Sequence, residues 1–137
     1  MPRKHRFAAR RRIAFKEVLG EELVGMTYSS ALQQYLGHQA TLLGRQPKLR
    51  VRVNSFEAVG RMVEQGVGIS IIPDSAALRC RKTMALGILR LTDKWAFRQL
   101  VICCRHYAEL PVHAQRLIDH LKTPDADVDR QSVPEPA

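Results

Sequence analysis

Five histidines and three cysteines carry the most reactive side chains of this 137-residue chain, and their spacing decides what they can do. His113 and His120 share a stretch of helical periodicity but lie about two turns apart, roughly 10 Å along a helix axis. One metal ion, whose ligands sit near 2 Å, cannot reach both. His5, His38 and His106 lack the paired cysteines or carboxylates that would complete a site. No bound metal is expected. Cys103 and Cys104 are adjacent, so in a strand they point to opposite faces and neither easily bridges the other. Cys80 stands alone and no C-x-x-C occurs, which suggests a reducing compartment rather than a disulfide framework. Nucleophilic catalysis needs a Ser or Cys beside a base, and no G-x-S-x-G is present. Gly66-x-Gly68 is a fragment of a dinucleotide fingerprint that follows a helical pattern instead of a strand. No pattern supports an enzyme, and no cofactor is expected.

A binding site has better support. Leu49, Val51 and Val53 alternate with Lys48, Arg50 and Arg52, the period of a strand with one wetter face. Asn54 or Ser55 then caps a helix, with Glu57 placed for a capping box with Asn54. Phe56, Val59 and Val63 recur at helical spacing, Gly66 closes the helix in a left-handed turn, and Gly68 opens an apolar run that ends at Pro73. Strand, helix and strand make a βαβ unit, in which ligands bind beyond the carboxyl ends of the strands. The turn at Asn54, Ser55 and Phe56 is such an end. Two readings stand side by side. Ordinary cap preferences favour side chains that serve only their own helix, whereas free N–H groups and the positive end of the helix dipole would also receive a carboxylate or phosphate.

The elements that position this turn alternate between helix and strand, which gives an α/β class. Ile13–Leu19 reads as a short helical turn ended by Gly20, and Leu23–Met26 as a buried strand. Ser29 or Ser30 caps a helix whose stripe is Leu32, Tyr35, Leu36, Gln39 and Leu43, closed by Gly44. After the βαβ unit come a short helix, Asp74–Leu78, capped by Asp74, and strands at Leu86–Leu91 and Phe97–Cys104. A final helix has Pro111 at its first position. Beyond Lys122 the sequence turns acidic and Pro-rich, and residues 123–137 read as a disordered tail.

With 45% hydrophobic residues the chain can build one core, and no apolar run approaches a membrane span. The N-terminus has charge but no apolar segment of a signal peptide, so a soluble, cytoplasmic protein without a membrane partner is expected. The net charge of +9 is concentrated in Arg3, Lys4, Arg6, Arg10, Arg11 and Arg12. Such a run either grips a nucleic-acid backbone or forms a solvated surface. The second reading is favoured here, because no aromatic platform interleaves with the arginines.

The ordered motifs GEELVGM, SSALQQYL, RVNSFEAVGRMVEQGVGISIIP and LTDKWAFRQLVICCR resemble the effector-binding region of LysR-type transcriptional regulators. The opening RKHRFAARRRIAFKEVLGEELVG is similar to the chain leading into the second lobe of that region. The resemblance implies a type 2 periplasmic-binding-protein-like lobe, a mixed, mostly parallel sheet flanked by helices. It covers residues 1–122, with residues 97–122 returning toward a first lobe. It also implies a small, anionic effector between two lobes, DNA bound only through a winged helix-turn-helix domain missing from this sequence, and a homo-oligomer. Carried over by position, Thr27, Tyr28 and Ser29 and Asn54, Ser55 and Phe56 fall on cleft-facing turns. Since the DNA-binding head and half of the cleft are absent from this sequence, the resemblance suggests a truncated regulator. Met1–Arg6 would run antiparallel to Val101–His106. A stand-alone solute- or anion-binding protein and a non-specific polyanion-binding module are the alternatives. The first would want an export signal and two lobes, and the second a steep salt dependence of DNA binding.

Overall fold

The computed structural model describes residues 1–97 and 101–122. The chain divides into two units, with the boundary between Phe97 and Arg98. The first is built around β2 (Glu22–Met26), which runs parallel to β3 (Lys48–Val53) with Glu22 opposite Lys48 and Met26 opposite Val53. On the other edge of β2, Ile69 N–H donates to Glu22 O (2.9 Å) and Val24 N–H to Ile69 O (2.8 Å). The apolar run after Gly68 is therefore a strand of one residue pair, with β2 lying between it and β3. Side chains stop the ladder. Ser70 Oγ donates to Val24 O (2.7 Å) and Gln33 Oε1 accepts from Met26 N–H (3.0 Å). Those are the acceptor and donor that the next rung of a parallel pair would use.

Both faces of this sheet are covered, as parallel strands require. Leu23 packs with Phe7, Phe15, Val18, Leu19 and, from helix α2 (Ala31–Leu42), Leu36 and Ala40. Val24, next in sequence, packs on the other face with Val59 and Val63 of α3 (Phe56–Glu64), Cys80 of α4 (Asp74–Thr83), Met84 and Leu86. Burying one such Val or Leu contributes about 1.5–3 kcal/mol. Alternation in β3 is as expected, with Leu49, Val51 and Val53 half-buried and Lys48, Arg50 and Arg52 exposed.

A second parallel pair joins β1 (Arg12–Ile13) to β4 (Arg90–Leu91). It carries Asp93 to the start of α1 (Phe15–Val18), where the Asp93 carboxylate accepts from Phe15 N–H (2.7 Å). Glu17 accepts from Ala14 N–H (3.1 Å), half of a capping box, since Ala14 has no acceptor of its own to return the bond. Trp95 meets Phe15 edge-on, with centroids 4.9 Å apart. Pro2 pairs antiparallel with Leu86, so the mostly parallel sheet structure includes an antiparallel contact.

Several expectations need correction. Ser55, not Asn54, caps α3, so Glu57 is the second helical residue and no capping box forms. Pro73 occupies the cap position of α4, which extends to Thr83, and Asp74 is its first residue. In α2 the buried stripe is Gln33, Leu36 and Ala40, while Leu43 lies exposed beyond the last turn. Only Arg90–Leu91 of the stretch 86–91 is a strand. The basic run does contain an aromatic residue. Phe7 is buried and carries the Arg6 and Arg10 guanidinium groups 4.8 and 5.5 Å from its centroid, while Arg6 also pairs with Glu21.

The second unit has a 3-10 turn at Tyr107–Glu109 and helix α5 (Val112–Lys122). Pro111 is its cap, with its carbonyl accepting from Gln115 N–H (3.1 Å). Tyr107 Oη donates to the Asp119 carboxylate (2.7 Å), which raises the pKa of the phenol. Val101–Cys104 is not a strand, and the antiparallel partner found for Pro2 is Leu86. The remainder of the expected Phe97–Cys104 strand, residues 98–100, and the expected tail at 123–137 lie outside the described residues.

Two predictions follow from this packing. A Cβ at Gly68 would sit 2.5 Å from the Glu22 carbonyl oxygen, a backbone atom that cannot move aside. Gly68→Ala should cost about 1–3 kcal/mol by overpacking. Gly66→Ala, at φ +78° with open space around it, should cost about 1–2 kcal/mol for the left-handed backbone alone. Urea denaturation separates the two mechanisms when Gly66→Asn is added, because Asn tolerates that backbone and should recover stability. The second concerns Glu17, whose pKa is lowered to about 2 by hydrogen bonds from Arg10 and Ala14. Its folded-state value lies below the unfolded one, so its stabilisation is complete above about pH 4.5 and is lost as pH falls toward 2. The Tm deficit of Glu17→Gln should be present at pH 7 and shrink steadily below pH 4.5.

Candidate functional site

β2 and β3 are neighbours, so their carboxyl ends lie side by side and deliver two strand-to-helix turns to one place. Thr27 N–H donates to Val53 O (3.0 Å), which locks the turns together. In the first turn Ser30 N–H donates to Thr27 O (3.0 Å), and the Thr27 and Ser29 hydroxyls lie 3.3 Å apart. Ser30 Oγ caps α2 by accepting from Gln33 N–H (3.5 Å). Helix α2 supplies two further ties through consecutive glutamines. Gln33 holds Met26 N–H, and Gln34 Nε2 donates to Tyr28 O (3.1 Å). Gly25 permits the first, because a Cβ there would lie 2.6 Å from Gln33 Oε1.

In the second turn Ser55 Oγ accepts from Ala58 N–H (3.1 Å). An accepting hydroxyl keeps its own O–H free to donate. Asn54 and Ser55 are exposed and Phe56 is half-buried, its carbonyl oxygen accepting from the Cys80 thiol at 3.6 Å. The structure thus brings Thr27, Tyr28 and Ser29 together with Asn54 and Ser55, and turns the Phe56 carbonyl toward α4.

Arg52 is the residue that sequence reasoning missed. Its guanidinium carbon lies 3.8 Å from the centroid of the Tyr28 ring, and Tyr28 is 72% exposed. Stacking of this kind at an exposed site contributes about 0.5–1 kcal/mol. It fixes the plane of the guanidinium while leaving its N–H edge free for an acceptor. The signal was present in the alternation of β3, whose last outward residue before Asn54 is Arg52. Its neighbour Arg50 is engaged with Glu22. Two helix N-termini add their positive dipole ends. Glu57, in the first turn of α3, opposes them, and α2 has no acidic residue there. The arrangement can hold a small anion through N–H and O–H donors, and it offers no nucleophile–base pair.

A cavity of about 190 Å³ lies elsewhere, at the amino ends of the strands among Pro2, His5, Glu21, Glu22, Gly66 and Gly68. Both of its carboxylates are engaged, Glu21 with Arg6 and with His5 Nε2 (3.4 Å), and Glu22 with Arg50. Among the described residues no group of three His, Cys, Asp or Glu side chains could hold a metal ion. None of their helices is long and apolar enough to cross a membrane.

The family model of the LysR substrate binding domain matches residues 1–124. A crystal structure of a Pseudomonas aeruginosa protein described as a LysR family transcriptional regulator superposes with a TM-score of 0.55 at 24% identity. The aligned region covers 68% of this chain and 33% of that one, so the likeness is one of fold and this chain spans about a third of that protein. Comparison with curated proteins finds no match. Matched over nearly its whole length, with the α/β fold of a periplasmic-binding-protein-like lobe, the chain belongs to the LysR substrate-binding domain family.

Proposed function

We propose that this chain is the effector-sensing part of a LysR-type transcriptional regulator, and that it takes a small anionic metabolite at the turns after β2 and β3. The observation that carries the reading is the convergence of Thr27, Ser29, Ser55 and the Tyr28-stacked Arg52 at the carboxyl ends of two adjacent parallel strands. Ligands bind at that edge of open α/β sheets. Asn54 flanks the anion, and Phe56 supplies an apolar shoulder. In this reading the chain binds and does not catalyse. It acts in the cytoplasm, and effector occupancy changes how a winged helix-turn-helix domain outside this sequence holds DNA, within a homo-oligomer.

The alternative of a non-specific polyanion grip is less well supported, since Arg6 and Arg10 are engaged with Glu21 and Glu17. A panel of mono- and dicarboxylates, matched amides and inorganic phosphate, screened by thermal shift, tests the proposal. A carboxylate should raise Tm where its amide does not. Arg52→Gln, which keeps a donor but loses the charge, should weaken that ligand about tenfold, the effect of one hydrogen bond to a charged group. Ser55→Ala separates the two roles of the turn. Loss of about 1 kcal/mol of stability with unchanged affinity would leave Ser55 as a cap alone. No shift with any anion, from protein shown to be folded, would overturn the reading.

A further inference from the structure

The vicinal pair Cys103–Cys104 has no part in the site above. Adjacent cysteines in a strand are held on opposite faces, but Val101–Cys104 is not a strand. Among the described residues no main-chain hydrogen bond engages Val101–Arg105, so no ladder holds the two side chains apart. Both thiols are free and exposed, whereas Cys80 is buried with its S–H directed to Phe56 O (3.6 Å).

From these features we infer that Cys103 and Cys104 form a dithiol site for a trivalent arsenical or a similarly soft, pyramidal electrophile. The donor count selects the class. Thiolates prefer soft centres, and a structural transition-metal site wants about four ligands. Among the described residues no third His, Cys, Asp or Glu converges with these two to complete such a site. A monosubstituted arsenical needs only two, because it brings its own carbon substituent. Its sulfur–arsenic–sulfur angle is bent, which matches two thiols separated by one peptide unit better than the opposed thiolates of a linear metal complex. In the capture step an arsenic(III) oxide R–As=O meets two S–H groups. Two As–S bonds form, the arsenic–oxygen bond breaks, and both protons leave with the oxygen as water. No atom changes oxidation state, so no oxidant or reductant is needed.

Phenylarsine oxide is the probe, applied to the reduced 137-residue chain. One equivalent should protect both fast-reacting thiols from a chromogenic disulfide, leaving Cys80 to react only in denaturant. The adduct should survive excess monothiol and be released by a dithiol. Cys103→Ser and Cys104→Ser should each weaken capture at least about a hundredfold, the loss of effective concentration when a second attachment point is removed. Cys80→Ser, with its fold checked by circular dichroism, should leave capture unchanged. If either single variant captures as tightly as the parent, if two arsenicals bind per chain, or if the native thiols do not react, the dithiol site is wrong.

Discussion

The pairing of β2 on both of its edges is the constraint on which the rest of the first unit depends. β2 is short, and its hydrogen bonds to β3 on one side and to Ile69 on the other satisfy a backbone buried between two apolar layers. A buried peptide group without a partner costs free energy comparable to a lost hydrogen bond. Leu23 and Val24, successive residues, send their side chains to opposite layers. Slipping the register by one would exchange the contents of both layers. Gly68 belongs to the same constraint, because only a residue without a Cβ lets the chain reach the Glu22 carbonyl closely enough to deliver Ile69.

That pairing also makes the candidate site. Ser70 and Gln33 consume the groups with which β2 would have continued toward Ile71, so the sheet ends where α2 begins. Gln33 is a buried polar residue on a helix face that otherwise holds Leu36 and Ala40. Its side-chain oxygen ends the strand by accepting from Met26 N–H, while its backbone N–H donates to the capping Ser30 hydroxyl. The neighbouring Gln34 fixes the carbonyl of Tyr28, and the Tyr28 ring in turn carries Arg52. A chain of contacts therefore runs from the packed core to an exposed cation. In the proposed site an anion would meet donors that are already oriented, which would reduce the ordering cost of binding.

The basic amino-terminal segment gains a different meaning once folded. Glu17 and Glu21, carboxylates of the segment leading into β2, collect Arg10, Arg6 and His5. Part of the +9 charge is thus spent on local pairing around the buried Phe7 rather than displayed as a uniform field. Exposed pairs of this type contribute little stability individually, and their role is better described as orienting the segment that precedes β1.

The amino-acid sequence alone determined the α/β class, the family, and the alternation that makes β3. It also determined where two helices start, offering Ser29 or Ser30 for one cap and Asn54 or Ser55 for the other, and the two turns where an effector is proposed to sit. These are properties of local periodicity, turn chemistry and motif order, and they are written in residues near one another in the chain. Tertiary structure decided what depends on distant partners. It reduced the expected strand after Gly68 to one bridge, because Ser70 and Gln33 occupy its next rung. It chose Ser55 over Asn54 as cap and kept Val101–Cys104 out of a strand. Arg52 emerged as a site residue only when β2 placed Tyr28 beneath it. A stacking contact between residues 28 and 52 exists only after two strands pair, and no local pattern in either segment encodes it.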